Sequence, residues 1–424
     1  MERTTCCVVG GGPAGMMLGL LLARAGVEVT VLEKHGDFLR DFRGDTVHPS
    51  TLRLLDELGL GERFDRLPAQ RLTQMRMQVE GTTFVAADLR RVPGRHKYIA
   101  MVPQWDFLDL LASAAAEEPS FRLRMRTAVT GLRTDATGRV TGVTYTDEHG
   151  APGELAADLT VACDGRDSVV RAAAGLVPRS FEVPMDVWQV RVPAPRDRRR
   201  RGQVFLSVRD GQVAATMDRG DYYQTSYLIK KGADSRLRSH DIGWFRDRLG
   251  DLLGWDHEAL LAIGSWDDVK LLDVTMGRLP HWYRDGLLCI GDAAHAMSPV
   301  GGIGVNLAVQ DAVAAARHLA APLRRGRPTT ADLHRVQRRR AFPATLTQRS
   351  QLTEHETLLR PALDGTLRPG RLPAPLRLLR RVPVLRMVAG YVGGVGVRPE
   401  HAPGFARRGP GGTPAAGATD GLRG

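Results

Sequence analysis

The chain has 424 residues and a formal net charge of +12, carried by 54 Arg against 5 Lys. An excess of that size would ordinarily point to nucleic acid or an anionic membrane as partner. These arginines, however, are spread along a chain rich in Ala and Gly, a bias that fits GC-rich codon usage better than a selected binding face, so no nucleic-acid partner is expected. The one dense run, Arg198-Arg199-Arg200-Arg201, sits among Pro and Gly and reads as a solvated loop.

At this length, two interleaved domains or one large α/β domain are expected. Cys6, Cys7, Cys163 and Cys289 form neither a disulfide framework nor a CxxC metal pair, and the default reading is small core residues. No charged leader with a cleavage site opens the sequence, and the apolar run from Ala14 to Ala23 is too short to span a bilayer. A cytoplasmic protein without a membrane span is the expectation.

In chain order, Cys6–Val9 is an apolar strand that stops at Gly10, where a tight turn needs a residue tolerant of positive φ. Gly12 leaves no side chain between backbone and ligand, and Gly15 lets a helix lie close on the strand. Pro13 suits the first helical turn, because its missing N–H would be unpaired there in any case. The helix runs from Ala14 to Ala25, Gly26 stops it, and Val27–Leu32 forms a second strand ending in Glu33. Strand, Gly-x-Gly-x-x-Gly, helix and an acid about 20 residues on describe a dinucleotide site, with pyrophosphate on the helix N-terminus and ribose on Glu33. The plainer reading is an ordinary βα turn followed by a solvated acid.

Further along, Arg43-Gly44-Asp45 leads through His48 to a helix that Ser50 can cap. Met75–Glu80 and Thr82–Asp88 alternate as strands of another sheet. Gln104 stands at the start of a helix carrying Phe107, Leu108, Leu110 and Leu111 inward. Strands around Arg122–Leu132 and Val140–Tyr145 follow, and the apolar run Leu159–Cys163 breaks at Asp164-Gly165. Val187–Val192, Val204–Val208 and Tyr222–Ile229 alternate, with an Asp210-Gly211 hairpin turn among them and an amphipathic helix near Trp244–Leu253. Leu287–Ile290 ends in Gly291-Asp292, followed by Pro299-Val300-Gly301-Gly302-Ile303-Gly304-Val305-Asn306 and a long helix to about Leu319.

Three glycine-acid turns at strand ends, with an Arg-Gly-Asp segment between the first and second, resemble the FAD-dependent aromatic hydroxylases, the class A flavoprotein monooxygenases. The resemblance covers about residues 5–345. It implies an α/β fold: a Rossmann-like FAD-binding domain (1–71, 102–177, 277–345) with an inserted, mainly antiparallel β-sheet substrate domain (72–101, 178–276), then a helical segment (346–398) and a disordered tail (399–424).

The resemblance also implies roles. Gly10, Gly12, Pro13, Ala14 and Gly15 would hold the pyrophosphate, Glu33 the adenosine ribose, and Arg43, Gln104 and Val129 would lie with them along the cofactor. Gly291 and Asp292 would meet the ribityl chain. Asp164-Gly165 would touch both FAD and the approach of NADPH or NADH. Pro299, Gly301 and the backbone of Gly304, Val305 and Asn306 would line the flavin ring, where a helix start offers free N–H groups to the negative charge of reduced flavin. The implied reaction reduces FAD with NADPH or NADH, forms a C(4a)-hydroperoxide with O2, and passes one oxygen to an electron-rich aromatic or polyketide-like substrate.

The substrate pocket is expected between the antiparallel sheet and the flavin domain, with Trp188, Tyr222 and Tyr223 as candidate lining. His48 is the candidate titratable group near the flavin, against the plainer reading of a structural histidine. Epoxidation or Baeyer–Villiger chemistry, a geranylgeranyl-reductase-like flavoenzyme and a non-catalytic flavin or ligand binder remain open beside hydroxylation. So do a monomer and a homodimer. A halogenase is disfavoured because Trp266 and Trp282 lack the neighbours of the WxWxIP motif.

Overall fold

The structure, a computed structural model, describes residues 2–39, 46–194, 203–367, 377–378 and 381–409. Arg43 and the Arg198–Arg201 run lie outside the described residues. In chain order, β1 (Glu2–Val9), α1 (Pro13–Arg24) and β2 (Val29–Leu32) make the opening βαβ unit, and α2 (Pro49–Glu57) follows. β3 (Gln74–Val79) and β4 (Thr82–Asp88) leave for a second sheet. The chain returns through α3 (Gln104–Ala116), β5 (Phe121–Arg124), β6 (Val140–Thr146), β7 (Pro152–Ala162) and the short α4 (Val169–Ala173). β8 (Met185–Pro193), β9 (Gln203–Arg209), β10 (Gln212–Asp218), β11 (Tyr222–Lys230) and α5 (Ile242–Leu253) complete the second sheet and its cover. β12 (Leu287–Cys289), α6 (Gly304–Arg325), α7 (Thr330–Glu354) and α8 (Pro383–Gly394) close the molecule.

The first sheet is ordered β12-β7-β1-β2-β5, all parallel, with β6 antiparallel to β7 at a branch. Both faces are covered, so β1 from Cys6 to Val9 and all of β2 are buried. This is why these strands read as continuous apolar runs rather than alternating ones. α1 is buried from Ala14 to Ala23 and is correspondingly apolar on almost every side.

The second sheet is ordered β8-β11-β10-β9-β3-β4, with Lys270–Leu272 outside β8. Its pairs are antiparallel except β3 with β9, which is parallel and joins the two inserted stretches into one sheet. The Asp210-Gly211 turn has φ +48 and +76, the two positive values a two-residue hairpin needs. Among the described residues, no helix is long and apolar enough to cross a membrane.

Two expectations are corrected. His48, not Ser50, occupies the cap position of α2, because Pro49 takes the first helical place; the Ser50 hydroxyl is used elsewhere. The stretch after Pro399 is ordered through residue 409 and not a loose tail: the buried Glu400 carboxylate pairs with Arg339 at 2.6 Å, and the Ala402 N–H donates to Glu57 at 2.6 Å. Gly, Pro and Ala composition does not reveal these two acid contacts.

One face of the second sheet packs on α5 through Trp188, Val190, Val192, Ala214 and Tyr227. Trp188 is wholly buried there, beside Tyr227, Phe245 and Trp266 at ring distances of 6.1, 5.2 and 5.0 Å, and its Nε1 donates to Asp234 at 2.7 Å. Trp188→Ala should therefore cost about 3–5 kcal/mol in urea unfolding; a loss below about 1 kcal/mol would contradict this packing.

Candidate functional site

At the end of β1 the glycines act through close approach. Gly10 has φ +101, and a Cβ there would lie 2.5 Å from the Cys163 carbonyl oxygen at the end of β7. A Cβ on Gly15 would strike the Gly10 carbonyl oxygen, whereas a Cβ on Gly12 would meet nothing within 4 Å. Gly10 and Gly15 thus serve the chain's own packing, and Gly12 faces open space. The buried Glu33 carboxylate closes the turn, accepting from Gly11 N–H at 2.8 Å and from His35 N–H at 3.0 Å. Two residues before Val129 in β-structure, the Thr127 N–H donates to the Glu33 carbonyl at 2.8 Å, so the Val129 strand is tied to this corner.

α1 starts with no capping side chain and no acid in its first turn, and so does α6. Helix starts leave N–H groups without internal partners, and both starts therefore present positive ends. The Gly291-Asp292 turn brings them together: a Cβ on Gly291 would lie 3.4 Å from Ala14 Cβ of α1, and one on Gly304 of α6 would lie 4.0 Å from Asp292 Oδ1. The structure thus unites Gly12–Gly15, Gly291-Asp292 and Gly304–Asn306 along one path.

Asp164 belongs to the same corner. Its Oδ2 accepts from Val170 N–H at 3.2 Å and holds the start of α4, while Oδ1 is buried with no partner among the described residues. Burial pushes this carboxyl up, against the lowering effect of its hydrogen bonds. A buried polar atom left without a partner is costly and marks a place where a ligand group fits. An open position at Gly12 and two uncapped helix starts suit a dinucleotide whose phosphates and ring carry negative charge, and the orphaned Asp164 oxygen suits a hydroxyl or N–H of the same ligand.

Several residues that hold this site were missed in the sequence. The wholly buried Asp311 accepts from Gly291 N–H (3.1 Å), His295 Nε2 (2.5 Å) and Arg340 Nε (2.9 Å). Burial would raise the Asp311 carboxyl, but His295 and Arg340 outweigh it and hold it below the usual range. Gln351 of α7 grips the turn before α6: its Nε2 donates to the Ser298 and Val300 carbonyls at 3.0 and 2.9 Å. The Thr46 hydroxyl donates to the Gly302 carbonyl at 2.8 Å, which ties the short strand Thr46–Val47 to the same turn. Asn306, which the sequence did single out at this helix start, is buried, and its Oδ1 accepts from the Ser50 hydroxyl at 3.1 Å and from Thr51, locking α6 to α2. For Asp311 and Thr46 the one sequence signal was nearness to the glycine turns, and for Arg340 and Gln351 there was none. Gln104 is buried at the start of α3.

His48 is wholly buried, and its Nδ1 lies 2.9 Å from the Gly393 carbonyl, a contact made as a donor. Its Nε2 is buried without a partner among the described residues. Burial pushes the imidazole down to about 4, so it is neutral at pH 7 and ties α2 to α8. The stability that this neutral form contributes is present above pH 6.5 and is lost as pH falls toward 4. Wild type should lose about 2 kcal/mol between pH 7 and 5 that a His48→Gln variant keeps, measured as the difference between their urea midpoints. Equal losses in the two proteins would contradict the buried neutral state.

The second sheet turns its other face to the glycine turns: Met77, Val187 and Leu228 pack there with Val300. Trp188 and Tyr223 point the opposite way and are corrected as pocket lining, since residues paired across β8 and β11, Trp188 with Tyr227 and Val192 with Tyr223, share the α5 face. Tyr223 stacks on Trp255 at 5.3 Å. Tyr222 does lie on the turn-facing side, under the Arg191 guanidinium at 5.5 Å. Along this face the apolar end gives way to Gln189, Gln224, Ser226 and Met217, with the Ser226 hydroxyl donating to Gln189 at 3.0 Å.

Comparison with known proteins agrees with this geometry. A family model described as FAD binding domain matches residues 3–350. The chain is 33% identical over 390 residues to the 6-methylpretetramide 4-monooxygenase of Streptomyces rimosus, covering 90% of this chain and 92% of that protein. It is 30% identical over 312 residues to the rifampicin monooxygenase of Streptomyces venezuelae, covering 72% of this chain but 61% of the relative. Among solved structures, the anhydrotetracycline hydroxylase OxyS of Streptomyces rimosus superposes with a TM-score of 0.73 at 25% identity, covering 94% of this chain and 77% of that one.

Proposed function

The chain belongs to the FAD-binding-domain family and is an FAD-dependent monooxygenase, and from that premise we propose that it hydroxylates a polycyclic, polyoxygenated aromatic of the polyketide kind. In this reading the substrate lies between the Met77–Ser226 face of the second sheet and the Pro299–Gly302 turn. The observation that carries it is the change along that face from Met77, Val187 and Leu228 to Gln189, Gln224 and Ser226. Met77, Val187 and Leu228 are themselves packed under Leu358, Leu359 and Leu363, so the floor for fused rings is the partly accessible Leu206, Ala215 and Met217 farther along the same face, and the amide and hydroxyl groups beside it suit ring oxygens. The names of the relatives, a 6-methylpretetramide monooxygenase and a rifampicin monooxygenase, support the same class.

When bound, FAD supplies oxygen activation and oxygen transfer, with NAD(P)H as the reductant typical of the family. The chain's own contribution is to bind and orient. Gly10, Gly12, Pro13, Ala14 and Gly15 would bear the pyrophosphate on the start of α1, and Glu33 would accept from the adenosine ribose. Gly291 and Asp292 would meet the ribityl chain, with Gln104 and Val129 alongside. Asp164 and Gly165 would stand beside them where the reductant approaches. Pro299, Gly301 and the N–H groups of Gly304, Val305 and Asn306 would frame the ring edge and favour negative charge there. The second sheet would exclude water from the reacting face.

The test is NADPH and NADH oxidation by the FAD-loaded enzyme across polycyclic and single-ring phenols, with product mass. The expected result is stimulation by a polycyclic phenol and a product heavier by one oxygen atom; stimulation that yields hydrogen peroxide with every compound would overturn the reading. Gly12→Ala separates binding from folding, because its Cβ meets no protein atom and its backbone is ordinary for alanine. The variant should keep its stability within about 0.5 kcal/mol and lose at least tenfold in FAD affinity by equilibrium dialysis. Unchanged FAD affinity would remove the pyrophosphate from this turn.

A further inference from the structure

We propose that Glu354 is the proton acceptor for an acidic hydroxyl on the substrate ring, a role that rests on the aromatic-substrate reading above. Glu354 is the last residue of α7, where the helix passes into a π-helical turn over His355–Leu359; single π-turns within long helices recur at functional sites. One turn earlier, Gln351 holds the Ser298 and Val300 carbonyls. Next to Glu354, His355 Nε2 lies 2.9 Å from the Ser298 hydroxyl oxygen. One turn later, Leu358 packs with Met77, Val187 and Leu228 of the sheet and with Val300. Helix positions three and four apart are neighbours, so Glu354 stands where the Pro299–Gly302 turn and the sheet face meet, the two walls assigned to the substrate.

Glu354 is surrounded by protein atoms yet remains partly accessible to solvent. Among the described residues it makes no hydrogen bond or ion pair. Burial without a counter-charge pushes its carboxyl up to about 7.

The charged and titratable groups on the surrounding elements are engaged with other partners. His355 is pushed down by burial and held on Ser298, and Glu356 and Arg360 pair with each other at 3.0 Å. The Ser298–Gly302 turn carries no titratable side chain. On the sheet face, Arg191 stacks over Tyr222 and Lys230 pairs with Asp364 at 2.6 Å. His48 is neutral on Gly393, and Arg386 of α8 has interactions of its own.

The step balances simply. The substrate O–H bond breaks, an O–H bond forms on the Glu354 carboxylate, and the electron pair left on oxygen delocalises into the ring carbons ortho and para to it. Those carbons become the electron-rich positions that oxygen transfer needs, and the proton is later lost to solvent. An acceptor titrating near the working pH is the most effective kind.

The test compares wild type with Glu354→Gln and Glu354→Asp between pH 5.5 and 9. Wild-type hydroxylation should fall about tenfold per unit below pH 7. Glu354→Gln should be slower by about 10²–10³-fold and lose that acid limb, and Glu354→Asp should keep it, displaced to lower pH. A second readout needs no turnover: equilibrium dialysis of a stimulating phenol and of its O-methyl ether on wild type. The phenol should bind at least tenfold tighter at pH 8 than at pH 6, and the ether should not change.

An acid limb retained in Glu354→Gln, or the same pH response from phenol and ether, overturns the assignment. If Glu354→Gln does not fold, the phenol and ether comparison decides. A wild type that hydroxylates no aromatic compound would instead sink the substrate reading on which the proposal rests.

Discussion

The Asp311 carboxylate is the constraint on which the cofactor half of the molecule depends. Its three donors come from three places in the chain: the Gly291 turn, His295 just beyond it, and Arg340 in the middle of α7. Buried ion pairs of this kind add little net stability, since desolvation offsets the attraction. What the arrangement supplies is position. With Gly291 held, its close approach to Ala14 follows, and the starts of α1 and α6 are brought to opposite ends of one turn. Each start carries a fixed partial positive charge, and neither has an acid in its first turn to neutralise it. The same α7 holds the far side of the site through Gln351 on the Ser298 and Val300 carbonyls. One helix therefore sets both the Gly291-Asp292 turn and the Ser298–Gly302 turn.

The opening βαβ unit was legible in sequence because its signals are local. Gly10 is required by its own positive φ and Gly15 by its approach to the Gly10 carbonyl a few residues back, and the run Cys6–Val9 is apolar because both faces of a parallel sheet are covered. The later glycine turns were legible for the same reason. The clamps were not. Asp311 lies 20 residues from Gly291, and Arg340 lies 29 from Asp311. In the sequence Asp311 is one polar residue within a helix and Arg340 one of many arginines. Only packing shows that they meet, and nothing local distinguishes them from solvated charges. Glu400 is the same case, an acid in a stretch of Gly, Pro and Ala that proves to be held by Arg339.

The substrate sheet shows a different limit. Alternation identifies a strand but does not say which face is which, and a shift by one residue exchanges the two. Trp188, Tyr222 and Tyr223 are all aromatic and all on paired strands, yet only Tyr222 faces the glycine turns. The larger aromatics went to the α5 side because that face is closed by a helix and rewards volume, as the ring cluster of Trp188, Tyr227, Phe245 and Trp266 shows. The face left for a ligand is built from smaller and more polar groups, Gln189, Gln224 and Ser226, which look unremarkable in a sequence.

The contrast between satisfied and unsatisfied groups then divides the molecule by task. Asp311, Glu33 and Asn306 are buried and hydrogen-bonded, Asp311 and Glu33 to backbone turns and Asn306 across to α2. Asp164 Oδ1 and Glu354 are the exceptions: one is an orphaned oxygen beside the first glycine turn, the other a carboxyl without a counter-charge beside the last. Asp164 has a folding role through Oδ2 on the Val170 N–H, but folding gives no reason for its orphaned oxygen or for Glu354, since an apolar or paired replacement would serve the core better. In the proposed reading, their positions, one at the cofactor's approach and one at the junction of turn and sheet, give the reason: they would be acceptors kept open for groups that arrive with the ligands.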